Sequence, residues 1–129
     1  MEKEQLFKIG LRIGDGCIDY PFENDFETAV FRRKDNRKWF GIYLGVPKKY
    51  FGEREGSEFC LNLKCPPELS IFLRESRTGI YPAWHMNKRN WITVRLHAVD
   101  EEELEKLFML SYDLCNDKKR TREKRKQNL

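Results

Sequence analysis

The chain has 129 residues, of which 40% are hydrophobic, 13% aromatic and 36% charged. This composition predicts one soluble globular domain with a single core. No apolar run approaches the roughly 20 residues of a membrane span, so we expect a cytoplasmic protein without a membrane partner. The four cysteines have neither CxxC nor zinc spacing, so we expect free thiols, no metal site and no cofactor.

The formal net charge of +4 comes mainly from the end of the sequence. Seven basic and two acidic residues lie between positions 117 and 126, which leaves 18 basic and 19 acidic residues elsewhere. We predict a folded domain over residues 1–116 and a basic, disordered tail over residues 117–129. Such a tail is typical of proteins that bind polyanions, whereas the folded part alone has no excess of positive charge.

The first elements in chain order are a helix and a hairpin. Apolar residues at helical spacing between Glu2 and about Arg12 predict the helix, and the Gly-Asp-Gly at 14–16 ends it. Two β-prone runs over residues 29–33 and 38–44 flank polar turn residues, which predicts a hairpin.

A third strand and a second helix follow. Alternation over residues 59–64 predicts a strand with one buried face, formed by Phe59, Leu61 and Leu63. The pair Pro66-Pro67 is typical of the first turn of a helix, because proline lacks a donor that the first turn leaves unpaired. The apolar stripe of this helix consists of Leu69, Phe72 and Leu73.

The last elements are a second hairpin and a third helix. Extended runs over residues 80–86 and 91–97 predict the hairpin, with WHMNKRNW at 84–91 as its bend. Asp100, with Glu103 three residues later, is a candidate N-cap for the helix. The predicted apolar stripe of this helix consists of Leu104, Leu107, Phe108, Leu114 and Cys115.

The element order is therefore α-β-β-β-α-β-β-α. Adjacent hairpins and short connections favour a two-layer α+β domain, with an antiparallel sheet of about five strands and the helices on one face. This arrangement leaves the other sheet face in need of cover, which makes a homodimer or another protein partner plausible.

Three motifs in this order carry a family resemblance: LNLKCPPELSIFLRE, HMNKRNWITVRL and SYDLC. Together with DYPF and the AVFRR...WFGIYLG hairpin they resemble the MmcQ/YjbR family of small bacterial proteins over about residues 19–116. One position departs from the family pattern, since Asn90 stands where the family usually has His. The motif residues include His85, Met86, Asn87, Lys88, Trp91, Thr93, Ser111 and Tyr112.

The resemblance implies a compact α+β domain of frataxin-like (CyaY-like) or secretion-chaperone-like appearance. Members of the family are described as candidate DNA-binding proteins with a "double wing", and no reaction is established for them. We accordingly expect DNA contacts, weak and salt-dependent, from two basic hairpin wings and the tail. The candidate residues are Arg32, Arg33, Lys34, Arg37 and Lys38 in the first wing, Asn87, Lys88, Arg89 and Asn90 in the second, and Lys118, Lys119 and Arg120 in the tail.

The candidate residues also have purely structural interpretations. Hairpin tips are often polar only because they are wet, and tryptophans in strands usually belong to the core. His85 beside a turn is typical of a hydrogen-bonded structural residue, and Ser111 and Tyr112 favour fixing the last helix to the sheet over catalysis. No catalytic signature is present, so we expect no enzyme activity. The alternative function is a protein-interaction module that uses the open sheet face or a helix groove.

Overall fold

The computed structural model describes residues 1–116 and shows three helices on a six-stranded antiparallel sheet, with strand order β1-β2-β3-β4-β6-β5. The α+β class predicted from the sequence is confirmed. The elements are α1 (Lys3–Arg12), β1 (Gly16–Asp19), β2 (Ala29–Arg33), β3 (Trp39–Pro47), β4 (Ser57–Lys64), α2 (Pro67–Ser76), β5 (Ile80–Pro82), β6 (Trp91–Arg95) and α3 (Glu101–Leu114), with 3₁₀ turns at Lys48–Phe51 and Leu96–Ala98.

The sheet has one strand more than the sequence predicted. β1 is an edge strand that pairs with β2, with Gly16 opposite Arg33. The Gly-Asp-Gly at 14–16 ends α1 as expected, but its last glycine already belongs to the sheet. A Cβ on Gly16 would lie only 2.9 Å from the Phe40 ring, so glycine permits the strand to pack closely at this point.

The helices pack on one face of the sheet, which we call the helix face. Leu6 and Ile9 of α1, together with Leu104 and Phe108 of α3, are fully buried there. The Phe108 ring lies edge-on to Phe31 of β2, with 5.1 Å between the ring centres. Burial of such side chains stabilises the fold by about 1.5–3 kcal/mol each, so this cluster is the main source of stability.

The start of α3 agrees with the sequence, but two predicted core residues lie at the surface. The Asp100 carboxylate accepts a hydrogen bond from the Glu103 amide at 2.8 Å, which confirms the N-cap. Phe72 is 63% exposed and Leu114 is 38% exposed. In α2 the fully buried side chain is that of Ser70, so the short apolar stripe fixes the buried face of this helix only approximately.

We call the opposite side of the sheet the loop face. The sequence predicted that this face is open, but it is covered. Cys60, Asn62 and Thr93 are fully buried on it, so the prediction that β4 has one buried face was wrong. Loops of the chain itself provide the cover: the Tyr50 hydroxyl donates to the Pro82 carbonyl at 2.7 Å, and the Tyr50 ring lies 5.0 Å from that of Trp84. The centre of this face therefore needs no partner chain.

The second hairpin is shorter than predicted. β5 and β6 pair antiparallel, but β5 ends at Pro82 instead of continuing to Met86, and residues 83–90 form a loop. Within residues 1–116, no helix is long and apolar enough to cross a membrane.

Candidate nucleic-acid interface

The turn at residues 34–38 and the end of the 83–90 loop lie at the same end of the sheet. β3 starts at Trp39, and the antiparallel register places the end of β4, at Lys64, beside it and opposite Trp91 of β6. The Cys65 amide donates to the Asn90 carbonyl at 2.8 Å, which joins the second loop to this place. We call it the basic end, defined by the 34–38 turn, Lys64 and residues 87–90.

The first turn is fastened to the C-terminal end of α3. The Asn36 side-chain amide donates to the Cys115 carbonyl at 2.7 Å, and the Lys38 ammonium donates to the Asn116 carbonyl at 3.1 Å. Arg33 donates to the Tyr112 carbonyl at 3.0 Å. The last carbonyls of a helix lack partners within the helix and carry its negative dipole end, so these three donors act as a cap supplied by the hairpin.

Arg33 is a structural residue, contrary to its place among the expected DNA contacts. It is 6% exposed, and its guanidinium forms a two-point ion pair with the Asp35 carboxylate at 2.8 and 3.0 Å. The same group donates to the Asn116 side-chain oxygen at 2.9 Å. The hydrogen bonds that Arg33 donates to Asp35 raise the pKa of Arg33. A cation with this many internal partners has no free donor face for a phosphate.

Arg32 points to the loop face and is also engaged. Its Nε donates to the Asp19 carboxylate at 2.9 Å, and its guanidinium lies 5.2 Å from the centre of the Trp39 ring. Another of its nitrogens donates to the Arg37 carbonyl at 3.2 Å. Asp19 belongs to β1, the strand that the sequence did not predict, so this pairing could not be foreseen.

Lys34 and Arg37 are the exposed cations of the first turn. Lys34 approaches the Asp15 carboxylate at 3.5 Å, but both side chains are more than half exposed, so this pair is weak. Arg37 has a left-handed backbone with φ of 65°, and its guanidinium lies 3.9 Å from the Cys17 sulfur. These two side chains are placed to meet a solvent-side anion.

The second loop holds its shape through its own motif residues. The Asn87 side-chain oxygen accepts from the amides of Arg89 and Asn90 at 2.8 and 3.2 Å, which forms an Asx turn. The Lys88 ammonium turns back to the Ala83 carbonyl at 3.0 Å. Lys88 is therefore partly engaged, whereas no residue within 1–116 pairs with the Arg89 guanidinium.

Buried polar groups under this loop fix Trp84 to the sheet. The Trp84 amide donates to the Thr93 hydroxyl at 2.8 Å, and its carbonyl accepts from the Asn62 side chain at 2.8 Å. The Thr93 hydroxyl in turn donates to the Asn62 oxygen at 2.5 Å. These contacts explain the residue types of the motif from His85 to Thr93, because several of its side chains hold the loop in one conformation.

The other motif residues in this region are differently placed. Trp91 is 9% exposed and belongs to the sheet, as the structural interpretation of the tryptophans favoured. Met86 is half-buried. His85 is exposed, has a left-handed backbone with φ of 59°, and its ring lies 4.3 Å from that of Trp84. A left-handed histidine is uncommon and is held here by the surrounding loop.

Ser111 and Tyr112 attach α3 to the sheet and to the 14–16 turn. The fully buried Ser111 hydroxyl donates to the Phe40 carbonyl at 2.6 Å and accepts from the Lys64 amide at 2.9 Å. The Tyr112 hydroxyl accepts from the Asp15 amide at 2.9 Å. Both side chains therefore make structural contacts between α3 and the elements packed against it.

Lys64 is a basic residue that the sequence-based list of contacts omitted. Burial raises the pKa of the Cys115 thiol, and the positive charges of Lys64, Arg33 and Lys38 oppose that shift, which places all three near the end of α3. An antiparallel pairing of β4 with β3, had it been inferred from the order of the strands, was the signal that could have placed Lys64 there. The candidate tail residues Lys118, Lys119 and Arg120 lie outside the described residues.

The basic end lies on a small α+β domain of three helices and a six-stranded antiparallel sheet. Comparison with known proteins identifies the family. The family model of YjbR matches residues 18–114, and the chain belongs to the YjbR family.

Its relatives include proteins from several bacteria. The chain is 40% identical over 116 residues to the uncharacterized protein YyaQ of Bacillus subtilis (strain 168), covering 88% of this chain and 98% of that protein. A crystal structure of a Pseudomonas syringae protein matches with a TM-score of 0.82 and 35% identity, over 90% of this chain and all of that chain. Deinococcus radiodurans protein DR2400 matches with a TM-score of 0.69 and 26% identity, over 89% of this chain and 78% of that chain.

Proposed function

We propose that the protein binds DNA through the phosphate backbone, with the basic end as the contact surface of the folded domain and the tail as a second, sequence-independent contact. The observation that carries this proposal is the register of the sheet. It brings Lys34, Arg37, Lys64 and Arg89 to one end, although they are widely separated in sequence. Clustered cations with free donors release counterions when they meet phosphates.

The position of Asn116 links the two contacts. Its backbone carbonyl and side chain are held by Lys38 and Arg33, so the chain continues toward residue 117 from the basic end. The seven basic residues between positions 117 and 126 follow Asn116 directly in the sequence.

The contacts of the basic residues determine which substitutions can test the proposal. Arg32 and Arg33 have internal partners, so replacing them would disturb the fold together with any binding. Lys34, Arg37 and Arg89 are exposed and can be replaced by glutamine without removing a buried bond. Lys106, exposed on α3 and paired only with Glu102 among the residues described, is the matched control.

The experiment is fluorescence anisotropy with labelled duplex DNA over a salt series, with the full chain throughout. Each neutralised phosphate contact contributes about 0.9 to the slope of log affinity against log salt. The triple variant Lys34→Gln, Arg37→Gln, Arg89→Gln should lower this slope by about 2 to 3, whereas Lys106→Gln should leave it unchanged. A second series with the seven tail cations changed to Gln isolates the contribution of the folded domain. If the triple variant then has no effect, the basic end is not a DNA site.

A protein-interaction function is the second candidate, and one observation favours it. Phe72 of α2 and Met109 of α3 are 63% and 50% exposed, and large apolar side chains at the surface can serve as contacts for a partner. Light scattering of the full chain tests it. Self-association that Phe72→Ser abolishes, and that Phe26→Ser in an exposed loop does not, would support this function. A monomer at all concentrations that captures no partner would exclude it.

A further inference from the structure

We infer that a groove beside Trp84 and His85 is a binding site for an organic cation, a primary amine or guanidinium on an apolar body. The groove has a volume of about 610 Å³, within the range of roughly 300–1,000 Å³ that is usual for small-ligand sites. It extends to Gly45, Pro47 and Ser57, at the opposite end of β3 and β4 from the basic end. None of the described residues that line it belongs to the basic end.

The walls of the groove are aromatic and aliphatic. Phe22, Leu44, Phe59 and Trp84 line it, and Phe22 is 43% exposed although it is a large apolar side chain. Rings of this kind cover the apolar body of a ligand, and their faces attract a cation that lies within about 6 Å, most strongly in the case of tryptophan.

The charged lining has a single sign. Asp25 and Glu27 are carboxylates in the wall, and within residues 1–116 no lysine or arginine lines the groove. Hydrogen bonds from Thr28 and Glu27 lower the pKa of Asp25, so its carboxylate is ionised at neutral pH. Because like charges repel, an anionic ligand is disfavoured here, and a ligand that presents an ammonium or guanidinium group is favoured.

The wall that contributes Trp84 is set before any ligand arrives. Both backbone groups of Trp84 are bonded to the buried Asn62 and Thr93, and its ring packs on Tyr50. A site whose parts are already in position loses little conformational entropy on binding. The buried pair Asn62 and Thr93 therefore positions Trp84 for ligand binding in addition to stabilising the loop.

Phenethylamine is the probe for this site, because it joins a primary ammonium to an apolar ring. Its neutral analogue 2-phenylethanol and its anionic analogue 3-phenylpropionate have similar apolar bodies. Titration of each into the full-length, ¹⁵N-labelled protein should give saturable shifts for phenethylamine at the amides of Asp25, Leu44, Trp84 and His85. The alcohol should bind about five- to tenfold more weakly, and the acid weaker still.

Matched variants separate charge from fold. Asp25→Asn with Glu27→Gln removes both charges, keeps one side-chain oxygen at each position, and should reduce the affinity for phenethylamine to that for the alcohol. Glu102→Gln, an exposed carboxylate change on α3, should have no effect. Equal binding of the three probes, or shifts that spread outside the groove, would overturn the assignment. In a last variant the seven tail cations are changed to Gln. Tighter phenethylamine binding by this variant would identify the chain's own tail as a competing ligand of the same chemistry.

Discussion

The Arg33 guanidinium lies 4.1 Å from the centre of the Tyr112 ring and donates a hydrogen bond to the carbonyl oxygen of the same residue at 3.0 Å. This pair joins the first hairpin to the last turn of α3, so the hairpin is part of the core architecture and not a freely projecting wing. The tyrosine ring also contacts Gly14, where a Cβ would lie 2.5 Å from it.

We predict that Arg33→Lys destabilises the protein by about 2 to 4 kcal/mol, because a lysine cannot replace the two-point pair with Asp35 and leaves helix carbonyls without a donor. Urea unfolding followed by circular dichroism measures the change. Lys34→Gln, at the neighbouring exposed position, should alter the free energy of unfolding by no more than about 0.5 kcal/mol. Similar losses for the two variants would contradict the structural role of Arg33.

We predict that Ser111→Ala costs about 1 to 3 kcal/mol, because the change leaves the buried Phe40 carbonyl and Lys64 amide without their shared partner. Ser76→Ala is the control, since the Ser76 hydroxyl is exposed and bonds only to the Phe72 carbonyl of its own helix. Thermal unfolding of both variants provides the comparison. An undiminished melting temperature for Ser111→Ala would show that another group satisfies these atoms.

Thr93→Val should loosen the 83–90 loop while preserving the shape of the side chain. The variant removes the hydroxyl that accepts from Trp84 and donates to Asn62, so hydrogen exchange at the Trp84 amide should accelerate by at least about tenfold, which corresponds to the roughly 1.4 kcal/mol of one lost bond. Thr93→Ser retains the hydroxyl and should keep most of the protection. If both variants exchange alike, the hydroxyl does not hold the loop.

The ion pair of Glu58 with Arg95 predicts a specific dependence of stability on pH. The hydrogen bond from Arg95 lowers the pKa of Glu58 below its ordinary value of 4.5; the charges of His97 and Lys48 act in the same direction, and burial opposes them. A depressed carboxylate pKa contributes stability that is present above the unfolded value and is lost as the pH falls through the folded value. Stability should therefore decrease below about pH 4.5.

Glu58→Gln isolates this contribution. The variant should be less stable than the parent near neutral pH by about 1 to 3 kcal/mol, because Arg95 is left partly buried without its main partner. The two proteins should converge in stability as the pH falls below the pKa of Glu58. Glu55→Gln, in the exposed loop before β4, should follow the parent at every pH. A constant gap between Glu58→Gln and the parent would indicate that the pair does not titrate as described.

The sequence predicted the fold class, the order of most elements and the N-cap of α3, because these depend on local periodicity and capping. It did not predict β1, since the Gly-Asp-Gly that ends α1 is followed by only three more strand residues. It also treated all cations of the first hairpin as equivalent. Ala29, Phe31 and Arg33 alternate onto the helix face, but two partners of Arg33, Tyr112 and Asn116, lie about 80 positions away, and only the folded chain shows that they meet.

The cysteines offer a reporter for the basic end. Cys60, Cys65 and Cys115 are at most 2% exposed, and burial raises the pKa of Cys60 to about 12 and that of Cys65 to about 11. Cys17 is half-buried and lies beside Arg37. Because the thiolate is the reactive form and must be reached by the reagent, we expect N-ethylmaleimide to modify Cys17 much faster than the other thiols of the folded protein.

Duplex DNA should slow this reaction at Cys17 by several-fold, since a phosphate backbone on Arg37 and Lys34 would cover the sulfur. The reagent is neutral, so the effect cannot come from its repulsion by DNA. Cys17→Ser should remove the rapid phase and leave DNA binding unchanged, which mass spectrometry and anisotropy can verify on the same samples. Rapid modification of a second thiol would contradict the burial of the other three cysteines. An unaltered rate at saturating DNA would place the nucleic acid elsewhere, on the tail alone.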